Sequence, residues 1–168
     1  IDAIAYEDNL LGNIQQLAQQ VKEGAYRAKL VLRKYIPKAG GKLRPLGIPA
    51  IADKLLQLAV AKILEAIYEQ DFLSCSYVYR PGTSAHKAVK DLTSELKSGK
   101  YHVVVEADIK GFFDNIAHES ILKELGNFPG RNLIKEWLKA GYIFDGTYHP
   151  TEKGTPQGGV SALRSVQW

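Results

Sequence analysis

Three acidic side chains near the middle of the chain could take part in metal chemistry: Glu106, Asp108 and Asp114. Asp108 stands where an apolar strand is predicted to end, and a carboxylate there is costly to bury unless it is hydrogen-bonded, paired or metal-bound. It could cap the following turn. Alternatively, it could bind Mg²⁺ with waters, substrate phosphates and a main-chain carbonyl such as that of Ile109. Two-metal phosphoryl transfer needs at least one more carboxylate. Glu106 and Asp114 are the local candidates, although neither has an obviously suitable spacing.

Positive charge is concentrated in a segment that also contains turn-forming glycines. Residues 22–54 carry a net charge of +7, whereas the remainder of the chain sums to −3. Two extended stretches, 28–37 and 43–48, predict a β-hairpin with a glycine tip and a basic rim. Lys38 and Arg44 beside the tip could reach a nucleotide triphosphate, Arg as a fork and Lys as a point charge. Generic phosphate-backbone contact, or solubility alone, is the alternative.

Two further motifs are compatible with a nucleotide site, although neither indicates one by itself. Gly158 and Gly159 would let the backbone approach a nucleotide closely, and the Gln157 amide could hydrogen-bond a sugar or a base edge. Phe112 and Phe113 are of a type usually found in a core. An aromatic ring beside a bound nucleotide could nevertheless exclude a ribose 2′-hydroxyl by contact.

The composition is that of a globular chain and excludes several classes of protein. Of 168 residues, 45% are hydrophobic and 24% charged, which argues against a disordered or fibrous chain. No apolar run approaches the ~20 residues needed to span a bilayer. The single cysteine, Cys75, excludes an internal disulfide framework and suits a reducing compartment. Because methionine is absent, we expect a processed chain or a piece of a longer protein.

Hydrophobic periodicity predicts a chain of helices interrupted by extended segments. Residues 101–109 form the best predicted strand, apolar on both faces and therefore expected to be central and buried. A second hairpin is predicted at 142–153 around Asp145 and Gly146. The predicted helices cover 7–23, 51–70, 84–97, 117–125 and 130–140. Helical spacing predicts that the helix at 51–70 buries an apolar stripe of Leu55, Leu56, Ala59, Ile63, Leu64 and Ile67, and that the helix at 84–97 buries Val89, Leu92 and Leu96.

Four blocks in a fixed order are the most specific signal. They are YIPKAGGKLRPLGIP at 35–49, SYVYRPGTSAH at 76–86, EADIKGFFDNI at 106–116 and GTPQGGV at 154–160. In this order they closely resemble the successive blocks of group II intron-encoded reverse transcriptases, the intron maturase family. The similarity covers essentially residues 1–160.

This resemblance implies an α+β right-hand polymerase fold, with an antiparallel sheet packed with helices. Residues 1–100 would form the fingers, with the N-terminal helix, the basic hairpin and the long helices. Residues 101–168 would form part of the palm, ending before the family's Tyr-x-Asp-Asp block. The implied activity is RNA-directed DNA synthesis from dNTPs with two Mg²⁺ ions, on an RNA template such as intron RNA and from a DNA primer. The implied location is cytoplasmic, in a bacterium or an organelle interior, without a membrane partner.

The resemblance also implies roles for individual residues. Asp108 matches the catalytic, first metal-binding aspartate of the family, and the Ile109 carbonyl its companion ligand. The residues implied to contact the nucleotide are Lys38 and Arg44 at the triphosphate, Phe112 or (favoured) Phe113 at the sugar, and Gln157. Those implied to contact nucleic acid are Arg33, Lys34, Lys42, Arg80, Pro156 and Gly158, with Arg80 helping to place the template.

The sequence also departs from the family pattern. Val78, Tyr79 and Thr83 stand where the family usually has Gly, Phe and Arg. After Val160 the expected Ile-Ser-Pro-Leu-Leu is missing, and no Asp-Asp pair occurs anywhere. Because the family's Asp-Asp hairpin supplies the other two metal carboxylates, we expect this chain to polymerise poorly or not at all by itself.

Two other functions are also compatible with the sequence. The chain could be a catalytically incomplete RNA-binding module of the maturase type. It could also be a metal-dependent phosphodiesterase that uses Glu106, Asp108 and Asp114, although this leaves the other blocks unexplained. An incomplete palm would expose apolar surface, so self-association is expected.

Overall fold

The computed structural model describes residues 3–38, 40–78 and 80–155. It begins with two helices, α1 (Ala3–Glu7) and α2 (Leu10–Lys22). The prediction of a helix at 7–23 is confirmed by α2. This helix ends just before Gly24, whose φ of 66° lies in the left-handed region that glycine adopts easily.

The predicted basic hairpin is present, and its register is regular. Strands β1 (Val31–Pro37) and β2 (Leu43–Ile48) pair antiparallel, with Ile36 opposite Arg44. The Lys38 N–H donates to the Lys42 carbonyl at 2.7 Å and closes the loop at the tip. The strands therefore hold the residues around the tip in a defined order.

A second hairpin extends the same sheet. Strands β3 (Tyr142–Phe144) and β4 (Thr147–His149) pair antiparallel. They are joined at Asp145 and Gly146, which both have positive φ, as predicted for this turn. The sheet order is β2-β1-β3-β4, and the central β1–β3 pairing is parallel. The α+β class is confirmed. The sheet is antiparallel within its two hairpins and parallel where they meet.

Five helices complete the described architecture. They are α3 (Ile51–Tyr68), α4 (Ala85–Lys97), α5 (Phe112–Asn115), α6 (His118–Glu124) and α7 (Arg131–Lys139). Among the described residues, no helix is both long enough and apolar enough to cross a bilayer. The four predicted helices from 51 onward are confirmed by α3, α4, α6 and α7.

The core joins α3 to α6 and α7, so the segments predicted as fingers and palm share one buried cluster. Its members are Tyr26, Val60, Leu64, Ile121, Leu122, Leu125, Ile134, Trp137 and Leu138. The buried face of α3 differs from the predicted apolar stripe, because Asp53 and Gln57 lie on it while Ile63 and Ile67 are exposed. On α4 the predicted buried face is also wrong: no residue of this helix is buried.

The prediction of a buried central strand at 101–109 is wrong for this structure. None of these residues is in a strand, and all are exposed, Val103 at 77% and Val105 at 86%. A strand can be buried only if its backbone N–H and C=O groups find hydrogen-bonding partners. No described segment pairs with 101–109, so its apolar side chains remain accessible.

Candidate functional site

The basic hairpin separates its cations onto two faces. In a strand, successive side chains point to opposite sides. Lys34 and Ile36 therefore share a face with Arg44, which lies opposite Ile36 in the ladder. Lys38 and Lys42 face each other across the base of the tip. Lys34, Lys38, Lys42 and Arg44 are all exposed, and we call these four residues the basic face.

Arg33 is on the other side of the hairpin, where its side chain is half-buried. Its guanidinium carbon lies 3.4 Å from the centre of the Tyr142 ring, a cation–π arrangement. The same side of β1 also places Tyr35 edge-on against Phe144, with ring centres 5.0 Å apart. The structure thus uses Arg33, which was predicted to contact nucleic acid, to join the two hairpins of the sheet.

Asp108 and Ile109 lie in the exposed segment 101–109. The Ile109 carbonyl accepts a hydrogen bond of 3.3 Å from the Phe112 N–H, which turns the chain into α5. Among residues 3–38, 40–78 and 80–155, no three or more His, Cys, Asp or Glu side chains are grouped so that they could hold a metal ion. Glu106, Asp108 and Asp114 therefore do not form the metal cluster that a phosphodiesterase would need. The described part of the chain therefore does not provide a complete set of metal ligands.

The turn after Asp108 is joined to the last described residues. The Thr155 N–H donates to the Phe113 carbonyl at 2.7 Å, and the Gly154 N–H donates to the Ile116 carbonyl at 2.8 Å. A Cβ on Gly154 would lie 2.8 Å from the Phe113 carbonyl oxygen, too close for any side chain. His118 is buried and holds the Gly154 carbonyl through Nε2 at 2.8 Å. The structure therefore brings the start of the GTPQGGV block against the EADIKGFFDNI block.

The two phenylalanines after Asp108 are half-buried and in contact with each other. The ring centres of Phe112 and Phe113 lie 5.6 Å apart at an interplanar angle of 75°. Gly111 begins their short helix with a φ of 65°, which lets the chain turn sharply after the Asp108 segment. Three predicted contact residues, Pro156, Gln157 and Gly158, lie outside the described residues.

A cleft of about 450 Å³ opens beside this junction. Its lining includes Arg33, Asp114, Tyr142, Lys153 and Thr155. Two buried polar atoms of its lining residues, Arg33 Nε and Thr155 Oγ1, find no hydrogen-bonding partner among the described residues. Unpaired buried polar atoms are costly, so the cleft offers hydrogen-bonding positions to a polar ligand or to water.

Arg80 is engaged by the protein itself. Its guanidinium forms an ion pair with Glu69 at 2.7 Å and donates to the carbonyls of Leu73 and Ser76 at 2.7 and 2.9 Å. The hydrogen bonds from Arg80 lower the pKa of Glu69. Arg80 was predicted to place a template strand, whereas its contacts here fix the loop that follows α3.

Asp53 is a buried polar residue that the sequence patterns did not single out. It is 2% exposed and lies within the apolar helix α3. Oδ1 accepts from the Tyr26 hydroxyl at 2.7 Å, and Oδ2 accepts from the Lys29 N–H at 3.0 Å. The same hydroxyl accepts from Trp137 Nε1 at 2.7 Å. The only feature of the sequence that could have indicated this network is an acidic residue inside an otherwise apolar helix.

Comparison with known proteins places these features in a family. Residues 36–167 match the family described as "Reverse transcriptase (RNA-dependent DNA polymerase)". The group II intron-encoded protein LtrA of Lactococcus lactis subsp. cremoris is 43% identical over 152 residues, which is 88% of this chain and 25% of that protein. Protein YkfC of Escherichia coli (strain K12) is 35% identical over 156 residues, 88% of this chain and 40% of that protein.

A more distant relative comes from a eukaryote. The "Uncharacterized 91 kDa protein in cob intron" of Schizosaccharomyces pombe is 34% identical over 151 residues, 88% of this chain and 18% of that protein. The chain thus spans less than half the length of these three relatives. Since the family match covers most of the chain and includes the Asp108 and Gly154 blocks that the structure joins, the chain belongs to the reverse transcriptase (RNA-dependent DNA polymerase) family and is of the group II intron type.

Proposed function

We propose that the whole protein is an RNA-directed DNA polymerase that uses an RNA template, a DNA primer and dNTPs, and that this chain supplies its fingers and part of its palm. The observation that carries the proposal is the hydrogen-bonded junction between the Asp108 turn and Thr155, 2.7 Å from the Phe113 carbonyl. This junction assembles two blocks that the family resemblance assigns to one nucleotide site. The unpaired polar atoms in the adjoining cleft support a polar ligand nearby.

In the proposed site, each residue has a role that suits its chemistry. Asp108 and the Ile109 carbonyl would bind one of two Mg²⁺ ions. Lys38 and Arg44 would hold the triphosphate, with an aromatic ring of Phe112 or Phe113 beside the sugar. Gln157 would contact the incoming nucleotide. The other two residues of the basic face, Lys34 and Lys42, would contact the template–primer backbone.

The carboxylates needed for a complete metal site are not assembled by the described residues, so we expect no synthesis from the isolated chain. A chimera can supply the remainder, with this chain replacing the matched 152 residues of the Lactococcus relative. The measurement is extension of a labelled DNA primer on an RNA template. We expect extension by the chimera and none by the isolated chain. A folded chimera that extends no primer, or an isolated chain that extends one efficiently, would contradict the proposal.

A second candidate function is RNA binding without catalysis. It is favoured by one observation: the basic face is formed and exposed, although the described parts of the chain do not place Asp108 in a cluster that could hold a metal ion. Such a module would bind RNA mainly through phosphates, with affinity that falls steeply as salt rises.

We also infer that the isolated chain self-associates through residues 101–109. The segment is exposed, rich in β-branched residues and has no partner strand within the described parts of the chain. Antiparallel pairing of two copies about Val104 would place Lys100 opposite Asp108 and His102 opposite Glu106. Opposite charges that face each other across strands stabilise a sheet, so the pairing of Lys100 with Asp108 favours this register.

Sedimentation velocity of the isolated chain tests this inference. We expect a concentration-dependent dimer or larger species, which the double substitution Val103→Lys and Val105→Lys converts to monomer because it places like charges across the pairing axis. Leu73→Lys is the matched control, since Leu73 is 72% exposed but lies in another loop. A monomeric parent chain, or loss of association in both variants, would refute pairing through this segment.

We further propose that the protein acts in the cytoplasm of a bacterium or in the interior of an organelle. The relatives that support this are bacterial proteins and a protein in the cob intron of fission yeast.

A further inference from the structure

We propose that Asp53 is a positioning residue that fixes the base of the basic hairpin to the helical core, and thereby sets where the basic face meets a nucleotide. The part of this inference that concerns nucleotide rests on the proposed function. The mechanical part, attachment of the hairpin by Asp53, stands on the structure alone.

Strand β1 is held by its pairing with β3 and by Arg33 on Tyr142, and the segment just before it is held by one buried carboxylate, that of Asp53. Its Oδ2 accepts the backbone N–H of Lys29, two residues before β1 begins, at 3.0 Å. Its Oδ1 accepts the hydroxyl of Tyr26, at 2.7 Å, in the segment that leads to the strand. Asp53 itself lies in the first turn of α3, which directly follows β2. One side chain therefore connects the segment that enters the hairpin to the helix that leaves it.

Tyr26, which donates to Asp53, is itself hydrogen-bonded to the core. Tyr26 is 5% exposed, and its oxygen accepts the indole N–H of Trp137, a core residue of α7, at 2.7 Å. Burial, above all, raises the pKa of the Tyr26 phenol, so the hydroxyl remains protonated and donates to Asp53. The chain of hydrogen bonds thus runs from α7 through Tyr26 to α3 and the base of β1.

Geometry explains why the base of the hairpin matters at its tip. Strand β1 has seven residues and a length of about 23 Å at the usual rise of a strand. A tilt of about 10° at the base would therefore move the tip by about 4 Å. Such a shift exceeds the reach of a hydrogen bond, so the hold of Lys38 and Arg44 on a triphosphate would depend on the orientation of the hairpin.

Hydrogen exchange of the isolated 168-residue chain, followed by mass spectrometry, tests the mechanical part. In Asp53→Asn the amide group can no longer accept both donors, because one of its two positions is now an N–H₂. We expect amide exchange in β1 and β2 to accelerate about tenfold or more, while amides of α6 and α7 change by less than about twofold. Unchanged exchange in the hairpin, or equal acceleration in the hairpin and these helices, would overturn the proposal.

Two variants make the result specific. Gln57→Leu is the matched control, because Gln57 is 4% exposed and lies one turn further along α3, and its Oε1 has no hydrogen-bonding partner within residues 3–38, 40–78 and 80–155. We expect it to leave exchange in the hairpin unchanged. Tyr26→Phe removes only the hydroxyl and serves if Asp53→Asn does not fold. It should accelerate exchange in the same strands by a smaller factor, and the absence of a hairpin-specific increase would overturn the proposal.

Kinetics of the chimera test the part that concerns nucleotide. There Asp53→Asn should raise the KM for dNTP by a larger factor than it lowers kcat, whereas a general loss of fold would lower both activity and exchange protection throughout. A hairpin loosened in exchange with an unchanged KM would overturn the positioning role. A parent chimera without activity would instead count against the proposed polymerase function, and exchange in the isolated chain would still decide the attachment.

Discussion

Replacing Asp108 by asparagine is expected to lower RNA-templated DNA synthesis by the chimera at least about a hundredfold, since the loss of a group that stabilises developing charge costs factors of this order. The substitution keeps the size of the side chain and removes its negative charge. A hard cation such as Mg²⁺ prefers a negatively charged oxygen ligand, so the asparagine should bind it much more weakly. Primer extension under single-turnover conditions is the measurement. Asp108 is exposed, so the change should leave the fold intact.

Substitutions of the neighbouring acids Glu106 and Asp114 serve as controls, and they distinguish the polymerase proposal from the phosphodiesterase alternative. Glu106→Gln and Asp114→Asn remove the same charge from the same part of the chain. Under the polymerase proposal, both variants should retain synthesis within about tenfold of the parent, because neither acid is assigned a metal. Equal losses in all three variants would indicate a shared three-carboxylate site. Retention of synthesis by Asp108→Asn would remove Asp108 from the catalytic role.

Local sequence signals predicted most elements of the fold. The hairpin at 31–48 followed from two extended stretches around paired glycines, and the turn at Asp145 and Gly146 from a dipeptide that favours positive φ. These signals act over a few residues, so they do not depend on the rest of the protein. The parallel contact between Val31 and Tyr142 joins distant parts of the chain, and no local pattern specified it.

The faces of the helices were harder to predict than their bounds. On α3 the leucine and isoleucine spacing suggested one stripe, yet the buried side is rotated toward Asp53 and Gln57. Hydrogen bonds from Tyr26 and Lys29 make burial of the Asp53 carboxylate tolerable, and those donors come from a different segment. A method that counts only apolar residues places such an acid on the solvent side.

The segment 101–109 shows the same limit for strands. Its composition predicts β-structure, but a strand also needs a neighbour, and composition does not supply one. The same limit affected the prediction of how the candidate site is built. Sequence blocks identified Asp108 and the Gly154 region, and the structure joins them through Phe113, but the buried strand expected to carry Asp108 is not formed.

Neutralising two lysines of the basic face is expected to weaken RNA binding about tenfold at low salt. The variant is Lys34→Gln with Lys42→Gln, and both side chains are exposed. If each lysine contacts one phosphate of a single strand, the slope of log affinity against log salt should fall by about 1.4. Fluorescence anisotropy with unrelated RNA sequences measures both quantities, and the loss should be similar for each sequence because phosphates carry no sequence information.

The division of cations between the two faces of the hairpin determines the controls for this experiment. Arg33→Gln is unsuitable, because Arg33 stacks on Tyr142 and its loss would disturb the sheet. Lys90→Gln with Lys97→Gln removes the same charge from α4, where both lysines are exposed, so it separates a local contact from the effect of net charge. We expect this pair to change affinity by less than about threefold, through long-range charge alone. Equal weakening by both pairs would show that RNA responds to the overall charge of the protein. An unchanged affinity after substitution of Lys34 and Lys42 would show that the basic face does not bind the RNA backbone.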